Sequence, residues 1–588
     1  MKKLFKLALS FVLASGLAFC AFGCTPNNNN KNPGGVESGE VDSGNNEEKP
    51  EETPGETPEE KPEETPGETP EEKPEETPGD TPEEKPEDSE QGESQPLTYN
   101  QKMERNIYGM QSTAFTAYFS NLAEYDYNAS IALDAIYASP NGNGDGTLAN
   151  PFSLQDGLDE VNKGQTLYLL GGTYTTDQMY GWFINCKGTA DNFITIRNYP
   201  GEKVIIENTY RGDEAYGFQF EKGTQYVILE GIEIRSIQSQ CAYGIVFWGD
   251  GQNNIIIRNC EIHDIKTTSP NPESDENAGA NAILLFGENK NAISDVAIID
   301  NHCYNNVNGW SENISVTANC ERVYVIGNTV ENNTNIGIDF YGNAGYCKTP
   351  SLDQPRDCLA AGNTVKNCNC SYADCAGLYV DGARDILLQS NFISGCAYGI
   401  EIGSEERNDS YPVKNITVRA NICENNTVTG IRIGGYEEVA TGVVQNTYIY
   451  NNTLSNNGVN SGAGIILAKI DGVEFANNII TVPAGVRLIS TDFSATYTKN
   501  FTFKNNLFYV SGSDASKAEF EICGNNFEGF ATFNEQFSGT NYYGDPLLDG
   551  TYMPTNTYSG DSTVNLGKYD YYLNEWGQTP CIGAVVVK

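Results

Sequence analysis

LLQSN at Leu387–Asn391, TVRAN at Thr417–Asn421 and IYNN at Ile449–Asn452 are copies of one short pattern. An aliphatic or β-branched run ends in a polar residue and then asparagine. Earlier copies are IIIRN to Asn259, AIIDN to Asn301, VIGN to Asn328 and a weaker LAAGN to Asn363. FANN to Asn478 and FKNN to Asn506 continue it. Successive asparagines lie 26 to 42 residues apart. A quasi-regular period in this range predicts a solenoid, whose repeats bury their apolar faces only against their neighbours. Ile, Val and Thr dominate, and no helical periodicity runs through them, so the repeats are strands. Stacked strands of this kind wind into parallel sheets, which makes the fold class all-β, a right-handed parallel β-helix. The asparagine is expected at a tight bend, where it tolerates left-handed backbone and can hydrogen-bond along the stack.

Working outward, a second string recurs once per coil: GIVFWG at Gly244, AILLFG at Ala282, GIDFYG at Gly337, GLYVDG at Gly377, GIEIGS at Gly399, GIRIGG at Gly430 and GIILAK at Gly464. Strand alternation sends its second and fourth residues inward. In the central coils these are Ile338 and Phe340, Leu378 and Val380, Ile400 and Ile402, Ile431 and Ile433, all apolar. The third and fifth residues point outward. They are apolar in the early coils (Val246, Trp248, Leu284, Phe286) and again in the last (Ile466, Ala468). In the middle they become Asp339 and Tyr341, Tyr379 and Asp381, Glu401, then Arg432. With coils about 4.8 Å apart, Asp339, Tyr379, Glu401 and Arg432 are expected to form a ladder. Long polar loops follow the rungs at Gly342–Cys358, Ser404–Pro412 and Gly435–Gly442, and bring Arg356, Asp357, Glu405, Arg407 and Tyr436. Long loops on a rigid scaffold are where sites are built.

This pattern resembles the pectate-lyase-like superfamily of right-handed parallel β-helices, from about Tyr137 to Lys588. YASPNGNGDGTLANPFSLQDGLDEV at Tyr137–Val161 and GQTLYLLGGTY at Gly164–Tyr174 are similar to the opening module of family-nine polysaccharide lyases, with a capping helix near Leu154–Val161. DPLLDGTYM at Asp545–Met553 and CIGAVVV at Cys581–Val587 look like its closing segment. The resemblance implies that the sheet carrying the ladder, with its flanking turns, is the substrate groove. It also implies a lysine base within an Ala-Asp-Gly-Phe-type strand. Here the matching strand reads ANAILLFG (Ala280–Gly287), without Asp or Lys.

For a polysaccharide-active protein the preferred expectation is β-elimination, with hydrolysis and non-catalytic binding as alternatives. β-Elimination on an acidic glycan needs its carboxylate neutralised, by Arg432, Arg356 or a Ca2+ held by Asp339, Asp381 and Glu401. Tyr379 or an arginine would be the base. Glycoside hydrolysis needs two carboxyls about 6.5–9.5 Å apart for inversion, a separation that Asp339, Asp381 and Glu401 can meet. A non-catalytic glycan-binding or display protein needs only aromatic faces such as Trp248, Phe286 and Tyr341. The catalytic candidates are Asp339, Tyr379, Asp381, Glu401 and Arg432. The substrate-binding candidates are Tyr341, Arg356, Glu405, Arg407 and Tyr436. Glu401 and Arg432 also fit a plain ion pair on a solvated face. His263 and His302, the two histidines, fall at the asparagine turns, which argues against a Ser-His-Asp triad or a zinc site.

The first 136 residues read differently. Residues 1–23 resemble a lipoprotein signal peptide, with Lys2, Lys3 and Lys6 before an apolar run and Cys24 after Ala21-Phe22-Gly23 as the lipidation site. Residues 24–97 form a Pro/Glu/Thr-rich tether around the repeat EETPGETPEEKP, too polar to fold and expected to be extended. Residues 98–136 are an extension that can be helical. The expected placement is the cell surface, as a monomer held to the membrane by lipid alone. The net charge is −43, of which Thr25–Leu97 carries −19. The acidity that remains argues against nucleic acid as a partner. Of the sixteen cysteines two lie in the signal region; the other fourteen show no CxxC…CxxC spacing and read as small core residues, with disulfides the alternative outside the cell.

Overall fold

The computed structural model describes residues 96–586, apart from 276–277, 437–438, 461, 538 and 578–580. The signal peptide, Cys24 and the tether lie outside the described residues.

Each coil runs through three strands, and stacking the coils gives three parallel sheets of 13 strands each among the described residues. In the order met along the chain, one coil supplies Ile194–Asn198 to the first sheet, Val204–Asn208 to the second and Glu214–Phe220 to the third. Alternate residues of all three meet in one continuous core, with aromatic stacks such as Phe220 on Phe247 at 4.3 Å and Phe475 on Phe503 at 4.7 Å. All eight inward positions named above are buried in that core.

The asparagines form the expected ladder. Each side-chain Oδ1 accepts from the backbone N–H of the asparagine one coil earlier, in an unbroken series Asn301, Asn328, Asn363, Asn391, Asn421, Asn452, Asn478, Asn506 and Asn541. Two details differ from the sequence expectation. The left-handed residue is the one before the ladder asparagine: Asp300, Gly327, Gly362, Ser390, Ala420, Asn451, Asn477 and Asn505 all have positive φ. The bend therefore needs αL one position early, and the asparagine itself turns inward to bond. Asn259 has φ 52° and so occupies the bend position, and Cys260 takes the rung.

Helix Leu154–Glu160, N-capped by Ser153, closes the first end, as expected. The other end differs. Helix Phe530–Gln536 closes it, with Phe533 stacked on Phe520 at 3.9 Å. The segment expected to close the coil instead packs along the side, where Tyr552, Met553, Tyr571, Ala584 and Val585 cover Phe392 and Ile422 of the second sheet. The extension holds two helices, Tyr99–Asn106 and Ala114–Ser120, each started by a threonine capping box. Met103, Phe115 and Phe119 cover outward-facing Ile256, Ile299, Tyr324 and Leu359 of the first sheet, which explains the apolar outer face of that sheet. Of the fourteen cysteines described, eleven are buried.

Candidate functional site on the third sheet

The third sheet brings the outward residues into register. Ser315 pairs with Asp339, Asp339 with Tyr379, Tyr379 with Glu401, and Glu401 with Arg432. A second row runs Trp248, Phe286, Thr317, Tyr341. The predicted ladder is therefore one continuous strip.

The strip is not an open groove. Asp339, Tyr379 and Asp381 are each 2% exposed, Glu401 1% and Arg432 3%, although none points into the core. The loop after Gly403 lies over them. Its Glu405 N–H donates to Asp381 Oδ1 at 3.0 Å, and Tyr379 donates its hydroxyl to Glu405 Oε1 at 3.1 Å. Tyr341 donates to Glu406 at 3.4 Å, and Tyr436 donates to Glu401. Arg407 sits at the rim of this cover, its stem against Gly442. Glu401 and Arg432 do form an ion pair, Nη1 to Oε1 at 3.1 Å, with side chains 1% and 4% exposed. The solvated-face reading of that pair is thereby corrected. A second carboxylate, Asp492, holds Nη2 at 3.2 Å, and the Tyr436 ring lies 4.1 Å from the guanidinium. Arg432 is thus committed to protein partners.

Arg356 is the clear misplacement. It opens a strand of the first sheet, in register with Glu321, to which its Nη2 bonds at 2.6 Å, while Nη1 donates to Asn319 at 3.0 Å. The loop before it ends at Pro355, three residues earlier than the sequence suggested, so Arg356 is a strand residue on a different face.

Burial sets the electrostatics. It pushes the carboxyls of Asp339 and Asp381 well above their ordinary range, and neighbouring acids add to the effect: Glu312 and Asp381 for Asp339, Glu405 for Asp381. Burial takes Glu401 to about 7, only partly opposed by Arg432 and Tyr436. Asp339 Oδ1 is buried without a hydrogen-bond partner. Asp339, Asp381 and Glu401 do not offer three oxygens within 4.8 Å of one another among the described residues. Glu401 is already held by Arg432 and Tyr436. The group that meets that spacing, Glu233, Glu261 and His263 on the second sheet, is an ion-pair cluster in which Lys203 and Arg235 neutralise Glu233.

The residue that sequence reasoning missed is Glu312. It precedes strand Ile314–Ala318, which has Asn313 where the recurring string of the other coils opens with glycine or alanine. Burial raises its carboxyl to about 7. Glu312 also lines a cleft with Ser315, Thr317, Tyr341, Trp310 and Tyr346, at the end of the acidic strip where the aromatic rungs begin. Trp248 lies 5.4 Å from Phe286, which lies 5.0 Å from Tyr346.

The comparisons with known proteins agree with this architecture. The profile of the family described as "Pel9A-like, right handed beta helix region" matches residues 136–452, more than half of the chain. The chain belongs to this family. A second profile, "Periplasmic copper-binding protein (NosD)", matches residues 352–562, within and beyond the Pel9A-like region. Among curated relatives, uncharacterized protein YwoF of Bacillus subtilis is 29% identical over 441 residues, covering 71% of this chain and 88% of that protein. Pectate lyase L of Thermoclostridium stercorarium is 25% identical over 338 residues, covering 56% of this chain and 23% of that protein. Among solved structures, pectate lyase Pel9A is 16% identical with a TM-score of 0.40, covering 79% of this chain and 98% of the other. The Pel9A-like match thus accounts for the coil.

Proposed function

We propose that this protein cleaves a polysaccharide bound along the third sheet, by acid–base chemistry at Glu312 and Asp339. The observation that carries the reading is this pair of acids at the junction of the aromatic cleft and the acidic strip. Both are raised by burial, and Glu312 raises Asp339 further. A pair of neighbouring carboxyls that keeps one proton between them sets an acid beside a carboxylate. Glycoside hydrolysis needs that division of labour: an acid for the leaving oxygen and a carboxylate to activate water. Trp310, Tyr346 and Trp248 supply ring faces for sugars. The cleft encloses about 40 Å3, so this reading requires the loop carrying Tyr346 to open before a sugar ring can enter. No step is routed through calcium. The extracytoplasmic, lipid-held placement expected from residues 1–24 is part of this proposal, because polysaccharide is met outside the cell.

A second reading, β-elimination of an acidic glycan, is favoured by the Pel9A-like family and by relatives whose printed names are pectate lyases. The test is a panel of neutral and uronic-acid polysaccharides, with Ca2+ and then with EDTA, followed by reducing ends and by absorbance near 235 nm. Reducing ends alone support hydrolysis. A rise in both channels moves the assignment to β-elimination, and its loss in EDTA would restore a metal at the strip. Silence in both channels across the panel sinks the catalytic reading and leaves the binding protein.

A further inference from the structure

Away from the third sheet, a cavity of about 440 Å3 opens on the outer face of the first sheet. It lies where the extension and the C-terminal segment approach the coils. Strand residues Leu387, Thr417 and Tyr448, cross-strand neighbours in one row, line it. Its polar lining includes Asp357, Asp385, Asn415 and Arg419, together with Arg322, which is already ion-paired to Asp295 and Glu321.

Arg419 is 5% exposed. Its Nε donates to Gln389 Oε1 at 2.9 Å and its Nη2 to the Tyr108 carbonyl at 2.8 Å. Both acceptors are neutral. Every other arginine this deeply buried faces a carboxylate: Arg258 has Glu230, Arg356 has Glu321 and Arg432 has Glu401. Arg419 has no ion-pair partner among the described residues, and its Nη1 donates to none of them. Burial without a counter-charge pulls its pKa down to about 10. The backbone is shaped around the guanidinium. A Cβ on Gly109 would lie 2.6 Å from Nη2, and one on Gly567 2.6 Å from Cζ, so any side chain there would collide with it. A buried, unpaired charge is expensive to keep, and an arginine fork is the usual receptor for a carboxylate.

The size and lining narrow the ligand. The volume falls within the ordinary range for small-molecule sites. Tyr448 is 37% exposed, so part of its ring is open to a ligand. Asp357, Asp385 and Asn415 are acceptors and donors suited to hydroxyl groups. We propose that this cavity is a second, non-catalytic site that binds a carboxylate-bearing sugar ring, its carboxylate on Arg419 and its hydroxyls toward Asp357 and Asp385. This assignment is independent of the reaction proposed for the third sheet.

The test is calorimetric titration of the whole protein with galacturonate, galactose and inorganic phosphate. It is repeated with Arg419→Gln, Tyr448→Ala and the double variant Glu312→Gln/Asp339→Asn. The expected result is saturable binding of galacturonate, undiminished in the double variant. It should weaken at least about tenfold in Arg419→Gln, as loss of a charge-assisted contact does, and several-fold in Tyr448→Ala. Galactose should show no saturation. Tyr448→Ala lies at a partly exposed position, so its loss of binding still decides if Arg419→Gln does not fold. Equal binding of phosphate and galacturonate would overturn the sugar assignment, leaving a bare anion site. Galacturonate binding that Arg419→Gln and Tyr448→Ala leave intact, or that the double variant abolishes, would overturn the site.

Discussion

Glu312 and Glu401 illustrate how one residue type takes its meaning from its surroundings. Both carboxyls are raised to about 7 by burial, from an ordinary value near 4.5. An acid held above its unfolded value stabilises the fold below the unfolded pKa. That contribution is lost as pH rises through the folded pKa. Thermal stability should therefore fall from about pH 5 to about pH 8, and Glu312→Gln with Glu401→Gln should flatten the decline. Scanning calorimetry across that range checks it, and a midpoint that rises with pH would show these acids to be ionised and compensated. The identities of the strip residues were legible from alternation alone, since Asp339, Tyr379, Glu401 and Arg432 do stand in register. Their burial was not, because it depends on where the loop from Ser404 to Pro412 folds back, and loop paths leave no periodic trace. Glu312 escaped because its coil has asparagine where the recurring string of the others opens with glycine or alanine.

Among the elements, the asparagine ladder carries the most regular energetics. Asn421 donates from Nδ2 to the Leu388 carbonyl at 3.0 Å and to Asn452 Oδ1 at 3.0 Å, and its own Oδ1 accepts from Asn391 N at 2.9 Å. Replacing it by alanine leaves several buried groups unmatched, at about 1–3 kcal/mol for each left without a partner. Asn421→Ala should lower the urea midpoint clearly, while Asn425→Ala, at a bend with φ 54°, should act through backbone strain. The pair separates the ladder from the bend: equal and small losses in both would contradict a ladder that contributes through buried hydrogen bonds. The rung spacing was readable in the sequence, because the buried hydrogen bonds call for asparagine at every rung from Asn301 to Asn541. The assignment of left-handed backbone to the ladder asparagine was displaced by one residue, since a sequence marks the bend but not which of two adjacent residues turns.

At the scale of the molecule, the coil is a stiff platform with different functions on its faces. The first sheet carries the extension helices and the Arg419 cavity, the second carries the C-terminal segment, and the third carries the strip. The solenoid and its opening cap were legible because repetition and capping follow local rules. The packing of the two chain ends across the sheets was not, because those contacts join residues hundreds of positions apart, as when Arg105 reaches the Leu573 carbonyl. The central claim is that cleavage occurs where the aromatic cleft meets the acidic strip. Its most direct test compares Asp339→Asn with the unaltered protein on the best polysaccharide of the panel, measuring turnover and affinity separately. The account predicts that turnover falls by at least about 100-fold, the range of a lost acid–base group, while affinity stays within a few-fold. Unchanged turnover in Asp339→Asn would contradict it and move the chemistry elsewhere on the coil.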